Sequence, residues 1–186
     1  MVLGFSMLPA LAQLGLKMGM SREEVEEVAG EPGLPVISDE FRNGWVFSKL
    51  EVPSGFQANV VATIGPQSGL CQLLLYGNPI RTPSNGEALR RELARVVETL
   101  RRTYGTPRIC DVLRLGSKWR EPEHWMMALF RKERVVQYEW IFTKERKDRI
   151  AAIRLSADAT DTATGVLRLE FTDTNWPACQ EEGDQQ

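Results

Sequence analysis

The sequence is poor in the residue types that most often announce chemistry. Its 186 residues hold one histidine, His124, and three cysteines, Cys71, Cys110 and Cys179. A single histidine excludes a histidine-rich metal cluster. The cysteines form no C-x-x-C pair, which excludes a zinc knuckle or dithiol redox motif, and their odd number points to a reducing compartment. Cys71 and Cys110 lie inside apolar strand-like runs, where a buried structural thiol is expected. No Gly-rich phosphate loop, nucleophile elbow or zinc-binding helix motif occurs. No apolar run approaches the roughly 20 residues of a helical membrane span. The first sixteen residues, MVLGFSMLPALAQLGL, have the apolar character of a secretory leader but lack positive charge before Lys17 and are interrupted by Pro9. They read as an N-terminal segment that packs on the body. The expected location is cytoplasmic, with the periplasm as the alternative.

What is present belongs to an ordinary globular chain. Apolar residues make up 42% and charged residues 26%, proportions that sustain a core and exclude a disordered chain. A net charge of −2 removes any global electrostatic case for nucleic acid or an anionic membrane. Residues 114–154 are the one basic stretch, with eleven Lys/Arg against six Asp/Glu. That is too mild for an RNA surface to be the leading expectation.

The pattern of elements repeats. Ser21-Arg-Glu-Glu24 opens a short helix, because a serine can cap free amides while the glutamate three residues on returns the bond. That helix carries an apolar stripe of Val25 and Val28 and ends at Gly30-Glu-Pro32. Ser84-Asn-Gly-Glu87 opens a second helix, with apolar residues at Leu89, Leu93, Val96, Val97, Leu100 and Tyr104, ending at Gly105-Thr-Pro107. The two glycine stops lie 75 positions apart (105 − 30). Strand-like segments follow each: residues 44–52, 56–64 and 70–76 after the first, and 108–115, 124–130, 135–142, 149–156 and 166–171 after the second. Residues 124–142 also hold helix-favouring Met, Ala, Leu and Glu, but the period-two face of Val136, Tyr138, Trp140 and Phe142 favours a hairpin over a helix there. Long-period self-similarity of this kind decides the fold before any single residue does. The fold expected is α+β: two tandem helix-plus-antiparallel-meander repeats forming one curved sheet with helices on one side. The units are 1–80 and 81–180, and 181–186 is read as a disordered tail.

Functional candidates are aromatic. Trp45 and Phe47 share one face of a strand by period two, and Tyr138, Trp140 and Phe142 share another. Trp119 and Trp125 bracket a proline loop that carries Glu121 and Glu123. An aromatic row facing away from the helices would be a partner surface. The expected partner-binding set is therefore Trp45, Phe47, Trp119, Glu121, Glu123, Trp125, Tyr138 and Trp140. No catalytic residue, metal ligand or cofactor site is expected.

Two resemblances follow. Lys17-Met-Gly-Met-Ser-Arg-Glu-Glu-Val25, continuing to Ala29-Gly-Glu-Pro32, resembles the helix-opening motif of the small lipoproteins of the outer-membrane barrel assembly machinery. That resemblance implies an envelope structural role. The doubled helix-then-meander layout is similar to the β-lactamase inhibitor protein superfamily. It implies a curved sheet that grips another protein. The leading expectation is a non-enzymatic bacterial protein-binding module, an inhibitor or immunity protein (an antitoxin) that blocks a toxin or enzyme. The envelope assembly role is the alternative.

Overall fold

The computed structural model describes residues 15–38, 41–48, 58–144 and 146–183. Part of the expected strand 44–52, the start of 56–64 and most of the apolar N-terminal segment lie outside these residues. In chain order the elements are α1 (Arg22–Ala29), β1 (Leu34–Ser38), β2 (Phe41–Phe47), β3 (Ala58–Gly65), β4 (Gly69–Gly77), β5 (Ile80–Arg81), α2 (Glu87–Tyr104), β6 (Arg108–Leu113), a 3-10 turn (Pro122–His124), α3 (Trp125–Phe130), β7 (Arg134–Ile141), β8 (Ile150–Ala159), β9 (Thr164–Asp173) and α4 (Trp176–Gly183).

The helix ends follow from the sequence. Ser21 Oγ accepts from the Glu24 N–H at 3.3 Å, and Glu24 Oε2 accepts from the Ser21 N–H at 2.8 Å, closing the capping box. Gly30 ends α1 at φ 65°. The buried stripe is Val25 with Ala29, while Val28 is exposed. Eight residues cannot hold a helix in water, so α1 exists because that stripe docks on the sheet. On α2, Leu89, Leu93, Val96, Leu100 and Tyr104 are buried, as the 3.6-residue period requires. Its outer faces carry intrahelical pairs such as Arg95–Glu92 and Arg102–Glu98. Gly86 precedes it at φ 71°, where a Cβ would also collide with the Trp125 ring. Both facts demand glycine there.

The strands form an open, wholly antiparallel sheet in the order β1-β2-β3-β4-β9-β8-β7-β6, with β5 pairing to β9. Strands β1–β4 follow α1, strands β6–β9 follow α2 with the 3-10 turn and α3 inserted between β6 and β7, and the two sets meet through their last strands, β4 and β9. The α+β class with helices α1, α2 and α3 on one face is the architecture expected. The first meander has four strands rather than three, because Leu34–Ser38 adds an edge strand. One apolar cluster under the helices draws on both halves, from Val25 and Leu73 to Leu155 and Phe171. The halves share a core.

Several expectations need correction. Residues 124–130 are not a strand: Pro122 starts a helical turn, and Trp125, Met126, Ala128 and Leu129 pack as α3 against β7 and β8. Helix-favouring Met, Ala and Leu outweigh the short apolar run. Residues 181–183 are not tail, because α4 continues to Gly183. Residues 184–186 lie outside the described set. Cys71 is not a free thiol but forms a disulfide with Cys179 of α4, across 108 positions of sequence. Cys110 is a free, half-buried thiol on β6.

That disulfide also locates α4. Val61, Thr63 and Gly65 alternate along β3 on the side away from the core. A Cβ on Gly65 would come within 3.1 Å of the Cys179 sulfur. Helix α4 therefore sits at this end of the far face, packed on β2, β3 and β4. Glu182 fixes it further, with its carboxylate accepting from the Gln67 N–H at 3.0 Å, the Ser68 N–H at 3.3 Å and the Ser68 hydroxyl at 2.5 Å.

Candidate functional site

The aromatic rows do not form a surface. Phe47, Trp125 and Trp140 are buried, and Trp45 and Tyr138 pack half-buried against the same cluster. The register explains it. Phe47 pairs with Val60 and Trp45 with Ala62, while Trp140 pairs with Ile153 and Tyr138 with Leu155. All of these side chains share the face that the helices cover. The Trp140 indole N–H is satisfied by the Gly105 carbonyl at 2.7 Å, as a buried indole requires. Phe47, Trp125 and Trp140 thus belong to the core, where large rings contribute most when removed from water, while Trp45 and Tyr138 keep part of their surface open. Trp119, Glu121 and Glu123 do lie together near the surface, between β6 and α3. Trp119 packs edge-on against His124 at 5.4 Å, with the Lys118 ammonium 4.9 Å from its ring. Trp45 instead borders a cleft of about 410 Å³ with Asn43, Gln67 and Arg22, and the Arg22 guanidinium lies 4.0 Å over the Trp45 ring.

The opposite face carries the better candidate. Reading the pairings across the eight strands of the main order gives one row: Arg108, Glu139, Arg154, Glu170, Leu74, Val61, Val46, Leu34. Its second-half members alternate in charge, and its first-half members are all aliphatic. Arg154 stands between two carboxylates, 3.3 Å from Glu139 and 3.4 Å from Glu170, with its side chain 49% exposed. Glu170 is buried and accepts from the Gln72 amide at 2.8 Å, and Gln72 in turn accepts from the Thr63 hydroxyl at 3.4 Å. At the other end Gln137 donates to Glu139 at 2.5 Å. A continuous hydrogen-bond chain therefore runs from β3 to β7. It fixes the carboxylates, so Arg154 is held in one place yet remains open to water. Beside it, Arg168 lies 5.7 Å over the Tyr76 ring. Val112, Val135 and Ile141, all exposed on this face, rim the charged row on β6 and β7.

Chemically, this is an oriented guanidinium in a polar row with Ile141 exposed beside it, suited to a planar acceptor such as a backbone carbonyl. Among the described residues no group of three or more metal-ligating side chains converges. Aromatic-led reading missed Glu139, Arg154 and Glu170. Their signal lay in the other parity of the same strands, where Gln137/Glu139, Arg154/Ser156 and Arg168/Glu170 alternate with core residues. What defines the protein as a class is thus an open antiparallel sheet, helix-covered on one face and half-uncovered on the other. Comparisons with protein-family models, curated proteins and solved structures find no match. Among the described residues no helix is long and apolar enough to cross a membrane.

Proposed function

We propose that the chain is a non-catalytic binding protein that docks another protein on the uncovered face of β6–β9, and that it inhibits an enzyme or toxin by covering it. The observation that carries this reading is Arg154, half-exposed yet fixed by carboxylates on both sides, with Ile141 exposed beside it on β7 and Val112 and Val135 exposed farther along the same face. Such a centre supplies what interface anchors need: a guanidinium whose ordering is already met before binding, flanked by apolar surface. The Cys71–Cys179 disulfide favours action in an oxidising compartment over the cytoplasm, because cytosolic thiols are kept reduced. The same bond favours, as a second reading, an envelope assembly role of the kind the capping-box segment resembles. Affinity capture from the source cells tests the proposal, using the native chain and Arg154→Glu side by side. A protein held by the first and released by the second supports it, and inhibition of that protein's activity identifies the inhibitor role. Capture of the same proteins by both chains overturns it.

A further inference from the structure

The sheet has two edges, and they are built differently. Edge β1 carries Pro35 within the strand, and its register slips between Val36 and Ser38. Both features spoil an edge as a template for another strand. Edge β6 has neither. Its six residues pair with β7 in unbroken register, and no described residue pairs with its outer side. Ile109 on one face and Val112 on the other are 62% and 56% exposed.

The outward groups can be assigned. The Arg114 N–H donates to the Glu133 carbonyl at 2.7 Å, which puts position 114 in a hydrogen-bonded pair with the strand inside it. Such pairs alternate along an antiparallel ladder. Arg108, Cys110 and Val112 therefore bond inward, while Ile109, Asp111 and Leu113 turn their N–H and C=O groups to solvent. At the inward-bonding positions a newly added strand would bring its side chains closest, about 4.5 Å between Cα atoms.

We propose that β6 takes up an extended segment of a partner protein as an additional antiparallel strand, and that the segment carries an acidic residue opposite Arg108 and an aliphatic residue opposite Val112. Charge complementarity selects this occupant. Arg108 is the open end of the alternating Arg108–Glu139–Arg154–Glu170 row, and the next member of that row is a carboxylate. Arg108 makes no ion pair among the described residues. A second copy of this chain fits poorly. Two-fold pairing about Cys110 sets Arg108 against Val112 and Ile109 against Asp111, and pairing about Asp111 opposes two like charges. The proposal goes beyond the face-docking reading and does not depend on it, since the edge lies outside the Arg154 contacts.

Cys110 makes the test direct. A cysteine placed opposite it in an added strand lies at a Cα separation of about 4.5 Å, within the range a disulfide spans. Two seven-residue peptides, Thr-Val-Thr-Cys-Val-Glu-Thr and its Glu-to-Lys counterpart, are supplied as mixed disulfides with cysteamine in equal amounts. The Cys110 thiolate attacks the peptide sulfur, the protein–peptide disulfide forms and cysteamine leaves. Mass spectrometry should find the Glu peptide attached in roughly fivefold excess over the Lys peptide. Arg108→Glu should reverse that preference. Asp111→Pro, which removes an outward N–H and no ladder bond, should lower attachment of both. Equal attachment of the two peptides, or a preference unchanged by Arg108→Glu, overturns the proposal. So does predominant Cys110–Cys110 cross-linking of two copies, which would make a second copy the occupant.

Discussion

The two halves of the far face share one sheet and one row of side chains, yet they meet opposite fates. Leu74 and Val61 are buried, with α4 drawn over their end of the face by a disulfide and by Glu182. Glu139 and Arg154 remain in contact with water, and no described helix covers them. The difference follows from hydration. Burying an aliphatic side chain is favourable by about 1.5–3 kcal/mol, whereas burying a charge is costly unless it is fully paired. A short C-terminal helix is therefore drawn to the aliphatic half and not to the charged one. What stays uncovered is the part of the sheet that evolution can assign to a partner at no cost to the core.

The sharpest way to break this contrast is to make the covered half resemble the open one. Leu74→Asp places a carboxylate at a fully buried position directly opposite Glu170 and should destabilise the chain by about 4 kcal/mol or more, measured by denaturant unfolding. Arg154→Ala, on the same row, should cost less, about 1–2 kcal/mol, because Arg154 is half-exposed and of its two partners only Glu170 is buried. If the two substitutions cost alike, the halves are not different in kind.

A smaller loss should follow from releasing α4. Replacing both Cys71 and Cys179 by Ala removes a closure across 108 positions and should cost about 2–4 kcal/mol by the same unfolding measurement. Hydrogen exchange should then rise in β3 and β4 and stay unchanged in β7. Equal exchange in all three strands would deny α4 its role as a cover for one half.

The contrast also marks where sequence reading succeeds. Both caps of α1 and the apolar stripe of α2 are local, so Ser21, Glu24, Gly30 and the Leu89-to-Tyr104 spacing suffice to place them. The antiparallel class and the shared core follow from strand length and turn residues. Local pattern is silent on which face a strand buries. Trp45, Phe47, Tyr138 and Trp140 showed period two, but the covered face is decided by helices distant in the chain. The disulfide escaped for the same reason, since Cys71 and Cys179 meet only after the sheet closes the gap. Residues 124–130 were ambiguous within one turn's length, and packing beneath Ser84 and against β8 settled them as helix. The candidate site was present only as the polar parity of β7, β8 and β9.

Between the halves, beside the β4–β9 backbone ladder, stands the Gln72–Glu170 side-chain link, which joins the covered meander to the charged row. Glu170→Ala would leave the buried Gln72 amide without its acceptor and free one side of Arg154. A loss of about 1–2 kcal/mol is expected, together with weaker partner capture. Glu170→Gln keeps the shape and an acceptor and should restore most of the stability but not the capture. Recovery of both by the amide would show that the charge on this row is irrelevant.

The smallest effect concerns pH. The Ser68 hydroxyl and then the Gln67 N–H hold the Glu182 carboxyl below the ordinary glutamate value. A depressed folded-state value means that the unfolded chain binds the proton more readily, so this contact stabilises at pH above the ordinary glutamate value and is lost as pH falls through the lower, folded one. Because the group is near the surface, the expected change is slight and confined to α4. Protection of the Gln67 and Ser68 amides, taken as exchange relative to the intrinsic rate at each pH, should fall as the solution is taken from pH 6 toward pH 3, about the range in which a carboxylate of this kind titrates. Glu182→Gln should flatten that dependence while leaving β7 and β8 untouched. If protection at the turn ignores pH in the native chain, the carboxylate is not what holds α4, and the disulfide alone separates the two halves.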